Sequence, residues 1–246
     1  MNEARLYIVS TGPGTIDLIP QAAREAIKKS ECIIGYKTYI DMITPLIGGK
    51  DVFGNGMRQE IDRCTLAVNT LRDGRDVAMI CGGDAGVFSL AGLIFELAEE
   101  AEYDQITVIP GITAATAAAA LLGAPLIHDF VVLSLSDLLT EADLIKRRVK
   151  MAIEGDYVLV LYNPKSIKRL ELYNWVLEEY RANCSSETPV GIVRNGYRKD
   201  QSVVCLTLEE AFTRQDLVDM RTVVVIGNSS TKRVGDRMIT PRGYNV

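Results

Sequence analysis

The segment Val77–Gly86, VAMICGGDAG, joins five unbroken apolar residues to three glycines and an aspartate. An apolar run of that length, ended by glycine, reads as a strand buried on both faces, the kind found inside a parallel sheet. Helical spacing takes over from about Val87, where Leu90, Ile94, Leu97 and Ala98 form one apolar stripe over Phe88–Glu100. Strand, glycine loop and helix make half of a βαβ unit, so ligands are expected where the strands end. The glycines permit close backbone approach. The oncoming helix offers free N–H groups suited to a carboxylate.

The same rhythm runs outward on both sides. Leu6–Ser10, Cys32–Tyr36 and Ile106–Ile109 read as strands, and Ala22–Ser30 and Gln59–Arg72 as helices. Beyond an alanine-rich crossover, Gly111–His128, further strands are expected at Phe130–Leu135, Tyr157–Leu161, Val190–Val193, Ser202–Thr207 and Thr222–Ile226. Helices are expected over Glu141–Glu154 and Leu170–Ala182. The turn around Asn195–Asp200 is short enough for a hairpin, so the second sheet should mix parallel and antiparallel pairs. The fold class is therefore α/β in two domains. Residues 1–123 carry a mainly parallel sheet and residues 124–246 a mixed one. Five Gly- or Pro-marked strand ends, drawn from both halves, point to a cleft between them.

Composition narrows the function. The 246 residues are 48% hydrophobic and 24% charged, too apolar for disorder. A net charge of -5 lacks the basic excess of a nucleic-acid surface. The longest apolar stretch, Ile112 to Ile127, is broken by Gly123 and Pro125 and is too short to span a bilayer. The opening MNEARLYIVS carries no signal-peptide pattern. Cys32, Cys64, Cys81, Cys184 and Cys205 form no C-x-x-C pair and are odd in number. No metal site or disulfide framework is expected, and a reducing cytoplasm is the natural setting. Such cysteines are expected to act as small buried hydrophobes.

Three loops of the first half invite a ligand. Ser10–Gly14, STGPG, starts like a dinucleotide fingerprint, but Asp17 stands where the third glycine belongs. Pro13 also removes a backbone donor, leaving a rigid turn. In Gly82–Asp84, Asp84 can accept hydrogen bonds from an amine or ribose hydroxyls, or simply cap the next helix. No P-loop lysine follows, which disfavours a triphosphate. Pro110–Thr116, PGITAAT, is made of small residues that leave room for a flat ring, and Thr113 can cap the helix it opens. Leu161–Lys165 and Val193–Tyr197 end strands in the second half.

Taken in order, TGPG, GNGMR, GGDAGVFSLAG, PGITAATAAAALLGAPLIHDF, LSLSD, LYNPKS, GIVRNGYR, IGNSST and TPRGY make the chain resemble the tetrapyrrole (corrin and porphyrin) methylases from Leu6 to Tyr244. GNGMR, APLIHDF, LSLSD and YNPKS are similar to the branch that methylates C17 of a corrin precursor, with or without cobalt, and contracts the ring. The resemblance implies the two-domain tetrapyrrole methylase fold, S-adenosyl-L-methionine as cofactor with S-adenosyl-L-homocysteine as product, and a homodimer. Matched residue by residue, it assigns the cofactor to Pro13, Gly82, Gly83, Asp84, Val87, Thr113, Ala114, Asn163 and Gly196. Ser10 stands where the family often has glycine, and Thr15 where it often has an acid.

A sulfonium donor is already activated, so methyl transfer needs alignment and desolvation more than an acid or a base. The family's substrate is rich in carboxylates and needs cations. Arg58, Lys165, Arg194, Arg198 and Arg242 lie in loops and are the candidates, with solvated surface charge as the plainer alternative. Ring contraction moves a proton. His128, the single histidine, can serve as acid or base or be satisfied by Asp129. Asp137 is a second candidate, or the cap of the following helix. The rivals are a sister methylase acting at another carbon, a non-catalytic tetrapyrrole-binding module, and a nicotinamide-dependent oxidoreductase. The failed fingerprint, and the lack of an acid ending Ile33-Ile34-Gly35-Tyr36, count against the last.

Overall fold

The computed structural model describes residues 3–56, 59–165 and 170–245. The chain divides into two compact units, Met1–Ala114 and Ala115–Val246. The first contains β1 (Leu6–Ser10), α1 (Gln21–Lys29), β2 (Cys32–Tyr36), α2 (Lys37–Met42), β3 (Asp51–Asn55), α3 (Glu60–Arg72), β4 (Val77–Cys81), α4 (Ala91–Leu97) and β5 (Ile106–Ile109). Its five strands are all parallel, in the order β3-β2-β4-β1-β5. Alternation along β4 explains the unbroken apolar run. Met79 faces a core with Leu6, Ile8, Val68 and Ile94. Ala78 and Ile80 face the opposite one, with Val9, Ala23 and Ile27. Each large side chain buried there contributes about 1.5–3 kcal/mol.

One local expectation is corrected. The helix after the glycine loop begins at Ala91, not near Val87. Phe88 has φ +51, which a right-handed helix cannot accommodate, so Gly86–Leu90 bends before α4 starts. Leu90 is the N-cap of α4, so Asp84 does not cap it. The free N–H groups of that helix do not follow directly on the glycines.

The second unit holds α5 (Ala114–Leu122), β6 (Gly123–Ala124), β7 (Phe130–Ser134), α6 (Ala142–Glu154), β8 (Val158–Tyr162), α7 (Glu171–Asn183), β9 (Pro189–Arg194), β10 (Ser202–Thr207), α8 (Leu208–Thr213), β11 (Thr222–Ile226), β12 (Lys232–Val234) and β13 (Arg237–Ile239). The main sheet runs β10-β9-β11-β8-β7. β7 and β8 pair in parallel and the other neighbours antiparallel, so the sheet is mixed. β9 and β10 form the hairpin, with Arg194 opposite Ser202. β12, β13 and β6 make a small third sheet.

The helix α5 explains why the division falls after Ala114 and not after Gly123. Its Ala115, Ala118 and Leu122 pack on Val158, Val160, Val193 and Val225 of the second sheet. Gly191 makes room for this contact, since a Cβ there would lie 2.4 Å from Leu122 Cδ1. The other face of the sheet carries α6, α7 and α8 around Val149, Tyr173, Val176 and Ala211.

The cysteines are free; all are buried except the half-buried Cys184. Burial, with Cys81 beside it adding in the same direction, pushes the Cys64 thiol up to about 12. Burial also raises the thiols of Cys32, Cys81, Cys184 and Cys205. Thiolate is the reactive species. A thiol reagent at neutral pH is therefore expected to modify Cys184 slowly and leave the other four untouched, with all five reacting in denaturant. Mass mapping of the labelled protein checks this. Rapid native labelling of Cys64 or Cys81 would contradict the packing.

Candidate active site

β4, β1 and β5 are neighbours and parallel, so the loops that follow them leave one edge of the first sheet together. These are the TGPG, GGD and PGIT loops. Their backbones knit directly. Gly12 N–H donates to Gly83 O at 3.0 Å, and Gly83 N–H returns a bond to Gly12 O at 2.8 Å. Gly12 and Gly83 hold φ +69 and +68, the left-handed region that favours glycine. Thr11 donates from both its N–H (2.9 Å) and its hydroxyl (3.0 Å) to Cys81 O.

Asp84 ties in the third loop. Its Oδ2 accepts from Gly111 N–H at 2.9 Å and its Oδ1 from Gly86 N–H at 2.8 Å. Charge-assisted bonds of this kind are about twice as strong as neutral ones. Asp84 thus orders the loops around it, whatever else its remaining lone pairs accept.

Three members of this knot escape a reading of the sequence. Ser10, fully buried, accepts Ala85 N–H on its hydroxyl at 2.8 Å. Gly111 fills the point where the loops converge: a Cβ there would lie 2.5 Å from Ser10 Cβ and 2.6 Å from Gly83 O. Tyr39 covers Gly82, where a Cβ would fall 2.5 Å from its ring, and stacks edge-on against Tyr36 with ring centres 5.4 Å apart. The serine in STGPG and the Pro-Gly pair at Pro110-Gly111 were the only available signals.

The other expected residues of the first unit lie close by in the chain. Pro13 is buried in its turn, and Val87 N–H bonds Asp84 O at 3.2 Å. Thr113 and Ala114 lead into α5. Asp17 is exposed in a short 3-10 turn, Ile16–Leu18. Gly83, Gly111, Thr113 and Ala114 are all partly exposed. Side chains that small leave the backbone open to a flat ring, which fits an adenosyl group.

In the second unit, Asn163 holds φ +50 and donates from Nδ2 to Ser134 Oγ at 3.0 Å, joining the loops after β7 and β8. The Tyr162 hydroxyl accepts Ala115 N–H at 2.8 Å in the first turn of α5. In the β9–β10 turn the positive φ values fall on Asn195, Tyr197 and Asp200, while Gly196 provides room beside Val193 and Leu121.

Among the described residues, the side chains of Lys165, Arg194 and Arg242 have partners. Lys165 Nζ donates to Gln215 O at 2.9 Å, and Arg194 pairs with Asp219 at 2.8 Å. Arg198 N–H closes the turn onto Asn195 O at 2.9 Å. Arg242 reaches Ile127 O at 3.3 Å, next to His128. Arg58 lies outside the described residues. His128 is exposed, its Nδ1 accepting Asp129 N–H at 2.9 Å. Asp137 is exposed in the loop after β7 and does not cap α6, whose N-cap is Glu141.

Residues 5–211 match the family model of the Tetrapyrrole (Corrin/Porphyrin) Methylases. The chain belongs to that family. Within it, the chain is 40% identical to a "Probable cobalt-factor III C(17)-methyltransferase" of Salmonella typhimurium, over 98% of this chain and 100% of that protein. It is 35% identical to a Sinorhizobium "Precorrin-3B C(17)-methyltransferase", over 97% and 96%. A "Cobalt-factor III methyltransferase" of Priestia megaterium is 42% identical over 98% of this chain, which spans 45% of that longer relative. The crystal structure of the methyltransferase CobJ superposes with a TM-score of 0.89 at 35% identity, covering 97% of this chain and 100% of that one.

Proposed function

We propose that this chain transfers a methyl group from S-adenosyl-L-methionine to C17 of a corrin precursor, precorrin-3B or its cobalt-bearing counterpart, with contraction of the ring. The observation that carries the proposal is the knot of three loops at Gly12, Gly83 and Gly111, built from family motifs at adjacent strand ends. Bound there, the cofactor would supply a methyl group already activated by its positive sulfur. The chain's own work is alignment and exclusion of water, which a rigid backbone cradle performs without an acid–base triad. Pro13, Gly82, Gly83, Asp84, Val87, Thr113 and Ala114 would hold the cofactor, joined by Asn163 and Gly196. The proposal extends to a homodimer in the cytoplasm, on the strength of the family resemblance.

Among the described residues no helix is long and apolar enough to cross a membrane. Calorimetry with S-adenosyl-L-homocysteine tests the cofactor. Micromolar or tighter binding is expected, roughly 8 kcal/mol or more. Absence of heat and of any thermal shift, with a response to a nicotinamide cofactor instead, would overturn the proposal in favour of the oxidoreductase.

A further inference from the structure

Among the described residues Arg63 is the one charged side chain that is buried, at 4% exposure. It is the fourth residue of α3, where the preceding charges are the acids Glu60 and Asp62. A helix favours acids at that end, so this cation stands against the helix dipole as well as against burial. An aliphatic residue would fill the same space without either cost. The charge therefore needs a reason beyond packing.

Its contacts lead to the cofactor loops. Nη1 donates to Gly56 O at 2.7 Å, just after β3, and Nη2 donates to Glu60 at 3.4 Å. The guanidinium carbon lies 6.0 Å from the centre of the Tyr36 ring, at the end of β2. Tyr36 meets Tyr39 edge-on, and the Tyr39 ring lies against Gly82, the first residue of the glycine loop after β4. Burial raises the thiol of Cys81, at the end of β4, and the charge of Arg63 is among the groups that oppose the rise. β3, β2 and β4 are neighbours in the sheet, so Arg63 joins the carboxyl ends of all three. A cation attracts the face of a ring, and an edge-on pair sets the second ring relative to the first. Orientation is passed along in this way from Arg63 to the wall over Gly82.

We propose that Arg63 is a positioning residue for the cofactor: through Tyr36 it holds the Tyr39 ring against Gly82 and so fixes the β2 side of the cradle. The proposal rests on S-adenosyl-L-methionine binding at the three loops. Arg63 acts through the two rings and not by touching the cofactor.

Arg63→Met tests this, because it removes the charge and keeps most of the length. Gly56 is exposed and the Glu60 side chain is 47% exposed, so water can take up both acceptors. Thermal stability is expected to change little. S-adenosyl-L-homocysteine binding, measured by calorimetry, is expected to weaken about tenfold. Arg63→Lys keeps a charge but loses the planar fork and should fall between.

A second readout needs no ligand. A proton of Gly82 points at the Tyr39 ring, so the ring current displaces its NMR resonance. Arg63→Met should return that resonance towards the ordinary glycine position. Tyr36→Leu breaks the relay one step further on and should weaken binding to a similar extent, which keeps the test decisive if Arg63→Met does not fold. In the Tyr36→Leu background, Arg63→Met should bring little further loss of affinity. Undiminished binding in a folded Arg63→Met or in Tyr36→Leu, an unmoved Gly82 resonance in Arg63→Met, or full additivity of the two substitutions would each overturn the proposal. Failure of the unmodified chain to bind S-adenosyl-L-homocysteine would instead remove the cofactor reading, and this one with it.

Discussion

Gly111→Ala is expected to weaken S-adenosyl-L-homocysteine binding about a hundredfold, close to 3 kcal/mol, although only one methyl group is added. That methyl would fall 2.5 Å from Ser10 Cβ and 2.6 Å from the Gly83 carbonyl oxygen. Neither neighbour is the far end of a flexible side chain. Relief requires the PGIT loop to move away from the other two. Overpacking of this kind costs about 1–3 kcal/mol by itself. The movement also strains the bond from Gly111 N–H to Asp84 and the paired bonds between Gly12 and Gly83. Calorimetry gives the affinity and thermal unfolding shows whether the fold survives.

Two companion variants separate the causes. Ser10→Gly in the Gly111→Ala background removes the nearer clash and leaves the carbonyl one, so it should restore binding only in part. Gly83→Ala meets no atom closer than 3.9 Å but must hold φ +68, so strain is its main penalty, about 1–2 kcal/mol. Its effect should be the smaller. If Gly111→Ala binds like the unmodified protein, the three loops do not form the cofactor cradle.

The outline of this fold is written in the sequence where a local pattern fixes it. β4 is legible because two cores need its alternate residues, so every position is apolar. The β9–β10 hairpin is legible because its turn is short. β3 is not: DVFGN mixes an acid, a glycine and an asparagine, which suits an edge strand and carries no periodic signal. The start of α4 is misread for a local reason, since nothing in the letters announces that Phe88 turns left-handed. At the site, the glycine-rich loops stand out one by one. Their bonding to each other does not, because it depends on which strands become neighbours. Asp84 looks like a helix cap until β5 is placed next to β1 and brings Gly111 within reach. The candidate cations show the same limit: an exposed-looking Arg194 is paired to Asp219, 25 residues away in the chain.

His128→Ala is expected to slow ring contraction by ~100- to 10,000-fold, the range a positioned proton-transfer group contributes, while slowing methyl transfer far less. The ring's geometry adds a constraint that composition could not. Nδ1 lies 2.9 Å from the Asp129 backbone nitrogen and 3.4 Å from Asp129 Oδ2, so Asp129 engages this nitrogen and leaves Nε2 for proton transfer. Nε2 donates when it carries the hydrogen and accepts when Nδ1 holds it towards the Asp129 carboxylate. Contraction takes a proton off a hydroxyl as the carbon–carbon bond migrates, so a base at Nε2 would remove it, whereas a donor there would leave that proton to water. A donor role predicts that His128→Asn, which keeps a side-chain N–H, retains more contraction than His128→Ala. A base role predicts no such difference. Contraction rearranges bonds without changing mass, so mass spectrometry counts the methyl transferred, and the absorption and NMR spectra of the product report the ring. Contracted product formed by His128→Ala at the unmodified rate, or a loss of thermal stability alone, would leave His128 as a surface residue of the loop before β7.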